Sequence, residues 1–421
     1  MRTCRADLPR GLPLAFPVMS PPRLRASLPR LSRALFPAAV VVLAAMVPAA
    51  LWAGEPRPLV FVHVMPWYEA PPQAPGWGWH WTMNRFRPGG DEEGRATIAS
   101  HYSPAIGPYD SSDDDVIEYQ TLSMRVAGVD GVIVDWYGSA DFRDHAALHR
   151  ATERIVAGAE RAGLSFALCY EDQTVTALVE AGRVPAESRV EHAAGELRRL
   201  AGDWFGRPAH ARLAGRPLLL SFGHAGLDDD EWSCVLETIG TPVTYLSEHR
   251  RRPAAGGAFD WPIPAEGVAA TKAFVERSRG QATSMPVAYP RFHDIYAEAG
   301  VHASWGRIDD ADGATFRDTL ALALSSGAEI VQVATWNDWG EGTQIEPSRE
   351  HGTRDLAVLQ GARRARDGAF PWEPADLVLP ERLLAARRTG AERSALDRAA
   401  AAIVAGDAAL ARRLLPEGGT D

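Results

Sequence analysis

Eight short apolar runs, spaced along most of the chain, constrain its fold more than any other feature of the sequence. They occupy residues 59–65, 131–138, 165–172, 217–222, 243–248, 258–261, 286–292 and 330–333. Each is a single hydrophobic stretch, the pattern of a parallel strand covered on both faces. Helical periodicity follows most of them, near 111–128, 142–162, 190–204, 229–239, 265–279, 314–326 and 354–366. The stretch 250–257 is too short for a crossover helix, so strands five and six are expected to connect without one. Eight alternating units predict an α/β chain folded as a (β/α)8 TIM barrel, with its site at the carboxyl ends of the strands. The rival, a doubly wound open sheet, lacks its nucleotide-binding glycine fingerprint here. Beyond residue 372, alanine- and arginine-rich sequence predicts a small C-terminal helical extension over 373–421, packed on the barrel or standing as an appendage.

Residues 1–53 differ in composition. Arg2, Arg5, Arg10, Arg23, Arg25, Arg30 and Arg33 precede an apolar run at 34–46, and small residues Ala49, Ala50 and Ala53 follow it. This is the layout of a signal peptide, so the barrel is expected to span 54–372 of an exported protein, periplasmic or extracellular. The alternative is an uncleaved leader holding the chain to a membrane. The formal net charge is −10. Loss of the arginine-rich leader makes it more negative, which argues against a nucleic acid partner. Cys169 and Cys234 are expected as buried thiols. There is no zinc-type ligand spacing, phosphate loop or GxSxG, so the chemistry is expected to use neither metal nor cofactor.

The run at 330–333 leads into Trp336-Asn337-Asp338-Trp339-Gly340-Glu341. Asp338 and Glu341 lie three apart in a glycine-rich turn, so both carboxylates can face one cavity beside two indoles. Paired carboxylates with aromatic platforms suit glycoside chemistry, one acting as acid and the other as base or nucleophile. The competing reading is a turn whose acids cap a helix or hold an arginine. Other strand ends carry candidates of the same kind. Trp67 and Tyr68 follow the first, Asp135 and Trp136 the second, Tyr170 and Glu171 the third, Glu248 the fifth, Tyr289 and Arg291 the seventh. Trp79 and His80 lie in an indole-rich loop that either walls a cleft or forms a small core. The acids at 113–115 read as a helix start capped by serine, with a calcium site as the alternative.

The stretch 336–346 resembles the W-N-E-W-x-E-G-T-x-I-E signature of glycoside hydrolase family 99 and its 71/99-like relatives. Supporting likenesses lie at Pro66-Trp67-Tyr68, at 107–111 and at 128–138, so the resemblance spans roughly residues 59–367. It implies a retaining endo-α-mannosidase-like barrel. Asp338 would deprotonate the sugar 2-hydroxyl, which attacks the anomeric carbon, and Glu341 would protonate the leaving oxygen. The chain departs from the family in having Asp338 where a glutamate stands and Gly340 where histidine is frequent. A carboxylate withdrawn by one methylene can cost about 100-fold in rate. The expected function is therefore cleavage of α-linked glycan, including α-mannan. The alternative is a carbohydrate-binding barrel with weak or no turnover. The expected partner is an oligo- or polysaccharide, bound by a monomer. Trp336, Asn337 and Glu346 join the candidate contacts, Glu346 with a structural alternative, and Arg291 with the alternative of pairing one of the strand-end acids.

Overall fold

The computed structural model describes residues 57–89, 97–281 and 283–416. The expected leader and its cleavage fall outside them. Eight parallel strands form the barrel: β1 (Leu59–Val64), β2 (Gly131–Trp136), β3 (Ser165–Glu171), β4 (Arg216–Phe222), β5 (Thr244–Glu248), β6 (Gly257–Phe259), β7 (Val287–Ala288) and β8 (Ile330–Val333). Their hydrogen-bonded order is β6-β5-β4-β3-β2-β1-β8-β7. The remaining seam closes through a parallel bridge between Phe259 and Met285, where Met285 N donates to Ala258 O and Asp260 N to Met285 O, each at 3.0 Å. Around them run α1 (Asp114–Ala127), α2 (His145–Arg161), α3 (Arg189–Asp203), α4 (Asp229–Thr238), α5 (Val268–Ser278), α6 (Ala314–Leu324) and α7 (Arg354–Arg366).

Period-2 alternation sorts each strand between two cores. Phe61, Met65, Ile133, Ala167, Cys169, Leu218, Leu220 and Leu246 fill the barrel interior. Val62, Val64, Val132, Val134, Phe166, Leu168 and Leu219 pack outward against the helices. Near the amino end of β2, Gly131 makes room for a ring: a Cβ there would sit 2.6 Å from Phe61. At the end of α1, Gly128 takes φ 86°, a left-handed position that favours glycine.

Three expectations need correction. The seventh strand is much shorter than 286–292, because Pro290 offers no N–H. Tyr289 N donates instead to Thr319 Oγ1 at 3.1 Å. Beyond it, Phe292–His293 pairs antiparallel with Arg307–Ile308 as a separate ribbon. The sixth strand ends before Trp261. Finally, α1 is capped by Asp113, which accepts from Asp115 N and Val116 N, rather than by a serine.

The C-terminal segment folds as α8 (Leu379–Arg388), α9 (Arg393–Ala405) and α10 (Ala408–Leu414). Of these, α8 and α9 pack on α1, with Leu383, Leu396 and Ile403 sharing one apolar cluster with Val126, and α10 packs on α9. Arg387 holds Glu118 of α1 at 2.5 and 2.8 Å. Among the described residues no helix is long and apolar enough to cross a membrane.

Candidate active site

The strand carboxyl ends surround a cavity of about 400 Å³. Because interior positions alternate, β2 sends Asp135 inward, β3 sends Glu171 and β5 sends Glu248. The loop after β8 adds Asp338 and Glu341. Among the described residues, five carboxyl groups thus share a cavity whose lining contains no lysine or arginine.

The loop is held from within. Thr335 Oγ1 accepts from Asp338 N at 2.7 Å, and Asp338 Oδ1 accepts from Glu341 N at 3.0 Å. The second bond fixes the turn that places both acids in the cavity. Gly342 takes a left-handed φ of 69°, which glycine adopts without strain. It also lets the chain pass His293, whose carbonyl oxygen would lie 2.7 Å from an added Cβ. Tyr68 Oη donates to Asn337 O and accepts from Trp339 N, both at 3.0 Å. The Asn337 amide pairs with the backbone of Met65, accepting from N at 2.8 Å and donating to O at 3.0 Å. Asn337 also donates to Tyr109 Oη, and Tyr109 donates to Glu346 Oε2 at 2.7 Å. Gln120 of α1 donates to the other Glu346 oxygen at 3.0 Å.

Burial dominates the electrostatics. Asp338 and Glu341 are 3% and 8% exposed. Desolvation pushes Asp338 up to about 7, opposed by the Glu341 and Gly340 N–H groups. Glu341 is driven well above the usual carboxylate range by burial first and then by the charges of Asp338, Asp294, Glu248 and Glu171. Its Oε2 is buried without a partner. Asp135 is raised by burial and by Glu171. Glu171 is pushed up to about 7 by burial, against hydrogen bonds from Gln173, Tyr137 and Asp135.

Aromatic side chains wall the cavity. Trp67 stacks on His80 with ring centres 4.4 Å apart, and Tyr68 and the half-exposed Trp79 continue that side. Opposite, Phe222 and Trp261 meet edge-on at 4.9 Å. A third group, Tyr296, His302 and Trp305, lies on the loop after the ribbon strand Phe292–His293, with His302 stacked on Trp305 at 4.9 Å. Trp305 is 54% exposed at the rim.

Seven candidates lie outside the cavity lining, which corrects their expected sugar contact. Trp136 and Tyr170 neighbour inward-facing acids and so point outward. Trp136 donates Nε1–H to His149 and packs against Trp204. Tyr170 packs between Trp136 and Trp232. Trp336 belongs to the same outer cluster. Tyr289 Oη accepts from Thr271 of α5 at 3.3 Å. Asn337 and Glu346 belong to the buried hydrogen-bond chain described above. Arg291 donates to Gln344 O and to Asp355, and pairs with no strand-end acid. Arg291 and Asp355 are both buried. Asp355→Ala therefore removes the near partner of a buried cation and is expected to lower stability by roughly 3 kcal/mol. Arg291 has a second acid in reach, Asp310 at 3.7 Å. Urea denaturation checks the expectation, and a loss below about 1 kcal/mol would show that Asp310 suffices as the partner.

Tyr137, Gln173, Phe222, Trp261, Phe292, Tyr296, His302 and Trp305 also line the cavity and were not expected from the sequence. Parity could have found Phe222 and Trp261, which extend the inward positions of β4 and β6. The loop residues leave no periodic trace.

Carboxyl groups at the carboxyl rim of a barrel, with indoles above them, form an arrangement able to carry out paired acid–base chemistry. No family model matches the chain. It is 23% identical over 283 residues to a Danio rerio protein named glycoprotein endo-alpha-1,2-mannosidase-like protein, a match covering 59% of this chain. The chain spans 60% of that relative's length. Its fold is similar to the family 99 endo-alpha-mannosidase of Bacteroides thetaiotaomicron in complex with bis-tris-propane. That match has a TM-score of 0.56 and 18% identity, covering 74% of this chain and 99% of the other. A second structure of that enzyme matches at TM-score 0.54 and 17% identity, covering 73% and 98%.

Proposed function

We propose that the chain is an exported, retaining glycoside hydrolase acting on α-linked, mannose-containing glycans, with Asp338 and Glu341 as its catalytic pair. The observation that carries this reading is the placement of both carboxyl groups in one buried, aromatic-walled cavity, on the loop whose sequence resembles the family 99 signature. The likeness to named endo-mannosidases in sequence and fold supports it.

In this reading Asp338, ionised, accepts the proton of the sugar 2-hydroxyl while that oxygen attacks the anomeric carbon. Glu341, protonated, gives its proton to the leaving oxygen as the glycosidic bond breaks. Water then opens the strained ring from the opposite face, with Glu341 taking the water's proton and Asp338 returning the hydroxyl proton. Two inversions give retention. The two environments separate the acids as the roles require. The N–H groups of Glu341 and Gly340 favour the ionised form of Asp338, whereas burial and the neighbouring acids favour the protonated form of Glu341.

The pH profile follows. The rate is expected to rise with pH through about 7, as Asp338 ionises. It should fall only at higher pH, where Glu341 loses its proton. A kcat/KM profile on α-mannan oligosaccharides tests it, and an optimum near pH 5 with decline by 7 would show that burial does not hold this pair above the usual carboxylate range. A glycan-binding barrel without turnover is the rival reading, resting on the short Asp338 side chain. Isothermal titration showing tight glycan binding with no hydrolysis would favour that rival.

A further inference from the structure

At the floor of the cavity, three interior side chains from adjacent strands converge: His63 of β1, the cavity-lining Asp135 of β2 and Cys169 of β3. One donor atom from each lies within 4.8 Å of the others. His63 and Cys169 are fully buried and Asp135 is 4% exposed. Strand register explains the grouping, since Asp135 pairs directly with Cys169 and His63 with Ile133, all at inward positions.

The histidine is oriented as metal ligands are. Gln332 of β8 donates its amide N–H to Asp260 O, which turns its Oε1 toward His63 Nδ1, 3.4 Å away. That acceptor places the ring proton on Nδ1 and leaves the Nε2 lone pair bare, the arrangement by which an outer partner fixes a ligating imidazole. Among the described residues, His63 Nε2 is buried with no hydrogen-bond partner, and so is Asp135 Oδ1. Two orphaned acceptors beside a thiol, in an interior where such groups are normally satisfied, call for a shared partner that carries positive charge.

We propose that His63, Asp135 and Cys169 form a binding site for a thiophilic divalent cation of the zinc class, reached from the cavity that Asp135 also lines. One nitrogen, one sulfur and one carboxylate oxygen are zinc-type donors, whereas calcium and magnesium take oxygen sets. As the ion binds, the Cys169 thiol and the Asp135 carboxyl group each give a proton to solvent, and the sulfur–metal and oxygen–metal bonds form. Thiolate and carboxylate together neutralise the dication, so no net charge is buried. The cavity acids, with no lysine or arginine among the described lining residues, draw a cation toward the site. The proposal does not depend on the glycosidase reading, because no catalytic step above passes through the ion.

The test uses the full chain stripped with chelator and then titrated with Zn²⁺ or Co²⁺. One Zn²⁺ per chain is expected, and Co²⁺ should give a thiolate-to-cobalt charge-transfer absorption. The absorption should persist in the double variant Cys4→Ser/Cys234→Ser and vanish in Cys169→Ser. His63→Gln and Cys169→Ser should each weaken Zn²⁺ binding by at least about 100-fold, and Gln332→Leu, acting through the imidazole, by roughly 10- to 100-fold. Should the Cys169 variant fail to fold, the cobalt spectrum of the Cys4/Cys234 variant decides alone. Absence of the thiolate absorption, or Zn²⁺ binding that survives His63→Gln and Cys169→Ser but is lost in Asp338→Asn, would overturn the site. The first result would leave a void filled by water, the second an ion held only by cavity acids.

Discussion

Glu341→Gln is expected to lower turnover by about 100- to 10,000-fold on glycans whose leaving oxygen is basic, the range general acid catalysis commands. Glu341 N is tied to Asp338 Oδ1, so the residue is fixed in a turn and its carboxyl group enters the cavity with Oε2 free of protein partners. Acids surround that buried group and hold its proton in place. A proton held beside empty space is available to a leaving group. Glutamine preserves the size of the side chain and removes only that acidity. Aryl glycosides, whose leaving oxygen needs no proton, should therefore lose far less. The comparison of natural glycan with activated aryl glycoside is the measurement. Equal losses on both would show that Glu341 positions the substrate rather than protonating it.

Much of this site was legible because barrel strands carry a two-residue period. Asp135, Glu171 and Glu248 lie near the ends of apolar runs, two positions after the interior residues Ile133, Cys169 and Leu246, and that parity turns them toward the cavity. The same period made Trp136 and Tyr170 misleading, since the residue beside an inward acid must face outward, and only burial against Trp204 and Trp232 reveals it. Asn337 and Glu346 misled for another reason: their polar side chains hold the loop to Met65, Tyr109 and Gln120, partners up to 272 residues away in sequence. Polarity in a motif does not tell which groups bond the protein and which are left for a ligand. The wall formed by Tyr296, His302 and Trp305 was invisible because its loop has no periodicity and is placed by backbone contacts, Ile295 N to Gly340 O at 3.0 Å among them. His63 and Cys169 escaped because ligand spacing is sought along the sequence, whereas these side chains meet across three neighbouring strands.

Asp338 offers the other large effect. Asp338→Asn should suppress turnover by about 100-fold or more on natural glycans and aryl glycosides alike, since the group that prepares the attacking oxygen is needed whichever bond leaves. The contrast with Glu341→Gln separates the two roles in one experiment. Asp338→Glu restores the residue of the family signature and is nevertheless expected to slow turnover. Oδ1 of Asp338 accepts from Glu341 N, and an added methylene moves the carboxyl group away from that donor by the length of one carbon–carbon bond. The space beyond is already shaped: even a Cβ on Gly340 would lie 3.2 Å from Met83 Cε and 3.5 Å from Asp338 Oδ1. A displacement of that size can cost about 100-fold through misalignment alone. A gain in kcat for Asp338→Glu would mean that the native cleft is not built around the shorter acid. Near-native rates for both Asp338→Asn and Glu341→Gln would remove the loop after β8 from the chemistry altogether.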